Sequence, residues 1–194
     1  MEVANMRLFD SHCHLDIDAF DGVDGVDGAV VRAREAGVTR MLAVGSGYGF
    51  QSAERAIAVA ERHPDVWASV GLHPHDAEAW TEEKWADLEA MAGHPKVVAL
   101  GEMGLDYYYD NSPRAIQRKV FRHQIRRACA LLKPIIIHDR ESAGETMAIL
   151  DDEGAWTGCG VVYHCFTGSV ETMQQIVERG GYVSIPGIVT FKKA

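Results

Sequence analysis

Short apolar strands alternate with helical segments along the chain, and this alternation restricts the possible fold more than any other feature. The strand-like segments are rich in Val, Ile and Leu, as strands buried on both faces are. They span residues 7–10, 39–44, 66–71, 97–102, 134–138, 161–164 and 181–185. Helical patterns lie between them, at 29–36, 52–62, 82–91, 114–132, 142–152 and 170–179. Repeated β-α units favour parallel strands with right-handed crossovers, so the sequence predicts an α/β fold.

Four of the predicted strands end in residues that can bind a metal ion. His12 and His14 end the first strand, and they project together because alternate side chains of a strand face the same way. Glu102 ends the fourth strand, His138 the fifth and His164 the sixth. An open sheet gathers ligands at one switch point, whereas a closed ring brings many strand ends round one centre. The series therefore favours a TIM-like (β/α) barrel with its site at the carboxyl ends of the strands.

The residue types in this series predict a divalent metal. A carboxylate in a barrel mouth must be paired, protonated or metal-bound, because burying it bare is costly. Glu102 could bridge two cations through its two oxygens, or form a salt bridge to a loop arginine such as Arg140 instead. Each histidine alone is better explained as a structural residue, but four histidines and a glutamate at strand ends indicate a metal site. Imidazole and carboxylate ligands suit Mg, Mn or Zn.

Composition limits the possible partners. The net charge of −9 argues against avid nonspecific binding of nucleic acid by a basic surface. It leaves a phosphate substrate possible, because bound divalent cations reverse the local field. Arg118, Arg122 and Arg126 recur at every fourth position, and a solvated helix face explains them better than a phosphate track. No CxxC pair, signal peptide or membrane-length apolar run is evident, so we expect free thiols, a cytoplasmic location and no membrane partner.

Six motifs resemble the successive signatures of the TatD family. They are DSHCHLD at the first strand, GLHPH (71–75), GEMGLDYYYD (101–110), IIIHDR (135–140), HCFTGS (164–169) and GGYVSIPGIVTFK (180–192). The family consists of metal-dependent hydrolases, many of them deoxyribonucleases, in the amidohydrolase superfamily. The resemblance covers nearly the whole chain in order. It implies a TIM-like barrel that holds two or more divalent metals and hydrolyses phosphodiesters or related esters.

The resemblance also implies roles for the residues at the strand ends. His12 and His14 match the ligands of strand one, and Glu102 matches the carboxylate that bridges two metals. His138 and His164 match the ligands of strands five and six. The resemblance therefore implies one divalent ion at His12, His14 and Glu102, and a second at Glu102, His138 and His164, with Glu102 as the catalytic centre of the pair.

Four further residues are candidate substrate contacts. His73 and His75 match the GxHPH loop, where a histidine lies near the substrate phosphate; a proline-shaped loop with a capping histidine is the alternative. Arg140 could clamp a phosphate bidentately, or pair with Asp139 or the bridging carboxylate. Asp106 could hydrogen-bond a ligand histidine, or simply cap its loop.

The chain departs from the family pattern towards its C-terminus. Residues 1–194 are expected to form a single domain that is C-terminally incomplete, with seven strands where a TIM barrel has eight. Family members continue to a strand eight with an Asp, usually in a Glu-Thr-Asp string, and this sequence has no such string. A longer parent chain is the favoured explanation. A real truncation, or a strand supplied by a partner copy across association-prone seam edges, are the alternatives.

These observations together favour a divalent-metal-dependent deoxyribonuclease. A confined barrel mouth and the lack of a duplex-sized basic stripe favour exonuclease action on single-stranded DNA or on strand ends. Hydrolysis of another ester or amide, as in an aminoacyl-tRNA deacylase, is the second interpretation. An inactive fragment that only binds metal or self-associates is the third.

Overall fold

Seven parallel strands form one curled sheet in the computed structural model, which describes residues 7–17, 20 and 24–192. The strands are β1 (Leu8–Cys13), β2 (Val38–Gly45), β3 (Val66–Val70), β4 (Val97–Asp106), β5 (Ile135–Arg140), β6 (Val161–Tyr163) and β7 (Tyr182–Val183). Their order in the sheet is the order of the chain, and every neighbouring pair is parallel. The predicted α/β barrel type with seven visible strands is confirmed.

Helices connect the strands and cover the outside of the sheet. They are α1 (Gly25–Glu35), α2 (Gln51–Arg62), α3 (Glu82–Ala92), α4 (Arg114–Ala130), α5 (Ala143–Asp152), α6 (Ala155–Gly158) and α7 (Val170–Glu178), with 3-10 turns at Pro74–Ala79 and Gly187–Thr190. In the described ranges, none of these helices has both the length and the apolar character that a bilayer crossing requires.

Helix α2 shows why the helices pack closely on the sheet. Its buried side chains include Ala53, Ala56, Val59 and Ala60, which recur at helical spacing and form one apolar face. A Cβ atom at Gly45 of β2 would lie 2.6 Å from the Cα of Ala53. The small residues on both elements therefore let the two backbones approach, and they fix where β2 ends relative to the helix.

The sheet is open between β1 and β7, which are its two edges. A cavity of about 490 Å³ lies between them, lined by β1 and by the segment that follows β7. The seven strands thus form a half-barrel rather than a closed ring within the described residues.

Strand β4 extends four residues past the predicted end at Glu102, to Asp106. Gly104 makes the extension possible, because it has φ +149° and a Cβ atom there would overlap the carbonyl oxygen of His138 on β5. Two carboxylates, Glu102 and Asp106, therefore project from one strand towards the same histidine, His138, which both contact. Strand β7, in contrast, covers only two residues of the predicted 181–185.

Candidate metal centre

Glu102 lies at the centre of a cluster of imidazoles that come from other strands. His12 is on β1, His138 is on β5, and His164 directly follows β6. The Oε1 atom of Glu102 is 2.6 Å from His138 Nδ1 and 2.9 Å from His164 Nε2. Its Oε2 atom is 3.3 Å from His12 Nε2 and 3.9 Å from His14 Nε2. The structure thus brings together all the ligands that the sequence predicts, in two pairs, one at each carboxylate oxygen.

His73 also reaches this cluster, although the sequence places it only near a substrate. Its Nε2 atom is 3.7 Å from Glu102 Oε1 and 3.2 Å from His138 Nδ1. Among the described residues, two groups of three donors lie close enough together to hold an ion: His12, Glu102 and His164, and His73, Glu102 and His138. The first group differs from the predicted division because the ring of His164 stacks on that of His12, with centroids 3.7 Å apart.

The hydrogen bonding of His73 makes it a poor metal ligand in spite of its position. The backbone N–H of His75 donates a hydrogen bond to His73 Nδ1, at 3.1 Å. Burial lowers the pKa of His73 to about 3, so the ring is neutral and carries one proton. Since Nδ1 accepts, that proton is on Nε2, which lies 3.2 Å from His138 Nδ1 and 3.7 Å from Glu102 Oε1. His73 therefore offers the site a hydrogen bond rather than a lone pair.

Charges in the cluster are set by burial and by contact. Burial alone would raise the pKa of Glu102, but hydrogen bonds from His12, His138 and His164 hold it well below the ordinary value, so the carboxylate is ionised. Burial likewise opposes the charged form of His138, but its hydrogen bonds to Asp106 and Glu102 prevail and raise its pKa to about 9. In His12, burial dominates and lowers the pKa. A proton on His138 thus balances the buried carboxylates.

The donor set fits a divalent cation. His12 Nε2 and His14 Nε2 face each other at 3.2 Å, and in such a contact between neutral rings only one nitrogen can donate. A cation between them and Glu102 would use both lone pairs and would neutralise the carboxylate. At the other oxygen, His138 and His164 offer the same chemistry once His138 has lost its extra proton.

Asp106 links this cluster to the adjoining loop, and both roles foreseen for it are present. Its Oδ2 atom accepts hydrogen bonds from His138 Nε2 at 3.0 Å and from His75 Nε2 at 2.9 Å. Its Oδ1 atom accepts from the backbone N–H groups of Tyr108 and Tyr109. Burial would raise the pKa of Asp106, but these bonds, that from His138 foremost, lower it. The side chain is fully buried, so it has no surface with which to contact a substrate.

Arg140 ends β5 at the mouth of the site and is exposed. No carboxylate among the described residues lies within ion-pair distance of it, so the alternative of a salt bridge to Glu102 or Asp139 is not realised there. Its guanidinium instead lies over the rings of Tyr108 and Tyr109, 4.9 and 4.8 Å from their centroids. Asp139 accepts a hydrogen bond from Ser142 Oγ at 2.7 Å.

Two buried glutamines of α4 hold the site backbone, and the sequence analysis missed them. The Oε1 atom of Gln117 accepts a hydrogen bond from the backbone N–H of Asp106, and its Nε2 atom donates to the carbonyls of Asp106 and Ser112. Gln124 binds the N–H and the carbonyl of Leu72, directly before His73. The two lie seven residues apart, and so on one helix face. Their position on the same helix face as Val120, Phe121 and Ile125, away from the arginines, was the available signal.

The chain is similar in sequence to known proteins of one family. Residues 9–194 match the family described as TatD related DNase. The uncharacterized metal-dependent hydrolase YabD of Bacillus subtilis (strain 168) is 41% identical over 187 residues, 96% of this chain and 71% of that protein. The 3'-5' ssDNA/RNA exonuclease TatD of Cronobacter turicensis is 38% identical over 184 residues, 94% of this chain and 67% of that protein.

A solved structure gives the same result for the fold. The crystal structure of YJJV, a TatD homologue from Escherichia coli K12, superposes with a TM-score of 0.85 at 28% identity. The match covers 98% of this chain and 72% of the other. From the family match over residues 9–194, the relatives and the shared fold, we conclude that the chain belongs to the TatD-related DNase family.

Proposed function

We propose that this protein is a divalent-metal-dependent hydrolase that cleaves phosphodiester bonds in single-stranded nucleic acid, most readily from strand ends. One observation carries the proposal: a single buried carboxylate, Glu102, contacts histidines from three other strand ends, with a separate pair of imidazoles at each oxygen. The family and the relative named as a 3'-5' ssDNA/RNA exonuclease support the choice of substrate.

The chain offers two adjoining places for a cation. His12, His14 and Glu102 Oε2 would hold one, and Glu102 Oε1, His138 and His164 would hold the other. Bound there, Mg, Mn or Zn would neutralise phosphate charge and lower the pKa of the attacking water.

The protein's own groups orient these donors. Asp106 is ionised and can only accept, so His138 donates its Nε2–H to it and turns Nδ1 towards Glu102. The same carboxylate fixes the ring of His75 through Nε2. A histidine whose other ring nitrogen is already hydrogen-bonded to a carboxylate needs little reorganisation when an ion binds.

Three groups remain for the phosphate. His73 presents Nε2–H beside Glu102, and His75 lines the same cavity, which measures about 340 Å³. Arg140 stands at the mouth with no carboxylate partner among the described residues, as a cation that can bind phosphate oxygens. Together they position a phosphodiester over the carboxylate. His73 and Arg140 donate to the oxygens on which charge accumulates, whereas the Nε2–H of His75 is already bonded to Asp106.

The test is degradation of end-labelled single-stranded DNA and RNA by the purified chain. We expect hydrolysis with added Mg²⁺ or Mn²⁺ and none with EDTA, and the position of the label gives the polarity. Activity that persists without metal would contradict the mechanism. The same preparation should be assayed on aminoacyl esters, because preferential cleavage of these would favour the acyl-hydrolase interpretation.

A further inference from the structure

Three tyrosines surround the mouth of the metal centre with their rings in solvent. Tyr48, Tyr108 and Tyr109 expose 54%, 57% and 53% of their surface. The Tyr48 ring lies 5.6 Å from that of His14, at one end of the donor cluster. The Tyr109 ring lies 5.6 Å from that of His75, at the other end. Tyr48 therefore lines the cavity that holds Glu102, and Tyr109 lies beside His75, which lines the same cavity.

The rings on the His75 side form an ordered cluster. Tyr108 and Tyr109 meet edge to face, with centroids 4.7 Å apart at 88°. The guanidinium of Arg140 lies over both rings. Both tyrosine N–H groups bind Asp106 Oδ1, so the cluster is anchored to the carboxylate that orients His138. Its position relative to the metal centre is therefore fixed by the fold.

Exposed aromatic rings beside a phosphate-binding cation are the surface that unpaired nucleobases bind. Stacking on tyrosine stabilises a bound base and tolerates any base, because every base has a π-face. Bases inside a duplex are already stacked and paired, so they cannot use such rings. Large exposed rings around a polar cavity have no role in the core, which makes a binding role the better explanation.

We propose that Tyr48 on one side, and Tyr108 with Tyr109 and Arg140 on the other, stack on the bases that flank the scissile phosphate of a single strand. This inference rests on the proposed nuclease function and adds the means by which the substrate is selected. It accounts for a preference for unpaired strands with little dependence on sequence. Arg140 then serves two partners, the base plane and the backbone phosphate.

The first experiment measures KM and kcat for a single-stranded oligonucleotide and for the same oligonucleotide with abasic residues. For Tyr109→Ala we expect KM on the base-bearing strand to rise about tenfold, while kcat changes far less. On the abasic strand the variant should match the wild type. Tyr109→Phe keeps the ring and should keep the low KM. Tyr182→Ala is the matched control, since Tyr182 is 70% exposed on β7.

Equal KM changes on both oligonucleotides, or a Tyr109→Ala variant with unchanged KM, would overturn the stacking role while leaving the nuclease function intact. A second measurement tests stacking even if the protein proves to have no nuclease activity. Fluorescence of a 2-aminopurine-labelled single strand, read in EDTA, should be quenched by the wild type and less by Tyr109→Ala, whether or not the strand is cleaved. No quenching by the wild type would also reject the proposal.

Discussion

At Glu102, one side chain combines burial, negative charge and contact with imidazoles from three other strand ends. Only 3% of its surface is exposed, so its charge has to be balanced by protein groups or by an ion. His73 lies in the same cluster, but its proton arrangement makes it a hydrogen-bond donor. Under the proposed function, these two neighbouring residues would therefore separate metal binding, at Glu102, from substrate binding, at His73.

Substitution of each residue tests that separation. Glu102→Gln removes the bridging charge, and we expect metal affinity to fall by at least about 100-fold and hydrolysis to disappear. His73→Gln keeps a side-chain N–H donor and should retain its metal while hydrolysis declines by about tenfold. Metal content by mass spectrometry and single-strand hydrolysis are the two measurements. Glu141→Gln, at an exposed carboxylate, is the control.

Loss of metal from His73→Gln would show that His73 is a ligand after all. Full metal occupancy in Glu102→Gln would contradict the central role of the carboxylate. Both results are read on the folded variant, which circular dichroism verifies.

His138 predicts how the stability of the metal-free protein depends on pH. Its pKa rises from 6.5 to about 9 on folding, because its hydrogen bonds to Asp106 and Glu102 outweigh burial. Because the pKa of His138 is raised on folding, its protonation stabilises the fold. This stabilisation is complete below pH 6.5 and is lost as the pH rises through about 9. In EDTA, we expect the free energy of unfolding to fall between these pH values.

Urea denaturation at a series of pH values measures this effect. His138→Asn, which does not titrate, should show a flatter profile over the same range. A wild-type profile as flat as that of the variant would mean that His138 is not protonated in the fold.

At the scale of elements, β4 decides where the two site carboxylates lie. Gly104 lets the strand continue beside β5 to Asp106, with no room for a side chain against the carbonyl of His138. This strand was predicted to end at Glu102, where the apolar run stops at a charged residue. The close approach of β5 that the extension requires involves residues 34 positions away and is invisible locally.

Gly104→Ala should therefore destabilise the fold by about 3 kcal/mol or more, because the backbone has to move and φ is unsuitable for alanine. Gly144→Ala is the matched control. Gly144 lies in α5 with nothing within 4 Å of the added methyl group, so that variant should gain up to about 1 kcal/mol. Urea denaturation gives both values. Similar stability of the two variants would contradict the close contact of β4 with β5.

Sequence patterns predicted the existence and order of the elements better than their ends. Apolar runs marked all the strands, because a strand buried on both faces needs apolar residues throughout. Six of the described helices followed from their spacing and from glycine or proline junctions, although α1 begins four residues before its predicted start, whereas the short α6 was not predicted. The role of Gln117 and Gln124 in α4 could not be predicted from the sequence. Both hydrogen-bond to backbone groups that come next to α4 only when the sheet has folded. The site ligands, in contrast, were predictable, because each one ends a strand and the carboxyl ends of the strands of a barrel meet at one rim.

At the scale of the whole molecule, the charges of the longest helix are balanced by acidic neighbours. Arg118, Arg122 and Arg126 of α4 are paired with acidic residues of α5 and the turn after it, so the predicted solvated face is also neutralised. The net charge is −9. Under the proposed function, attraction of a strand would therefore depend on the metal centre, Arg140 and the exposed rings rather than on a basic surface.

We expect the KM for single-stranded DNA to depend weakly on salt. With one or two phosphate contacts, KM should rise less than about tenfold between about 50 and about 200 mM KCl at fixed Mg²⁺. A protein that makes six to ten such contacts loses about 10³–10⁵ in affinity over that range. Steady-state kinetics at several salt concentrations measures the slope. A steep slope would reveal phosphate contacts along a longer track.

The strict order of the strands has a consequence for synthesis. Each strand pairs only with those made just before and just after it, so the sheet can grow in step with the ribosome. The donors then emerge in the order His12, His14, Glu102, His138 and His164. The donors around Glu102 Oε2 are therefore complete once β4 has been made, whereas those around Oε1 need the chain to the end of β6. The two halves of the cluster become available at different stages of synthesis, the Oε2 side first.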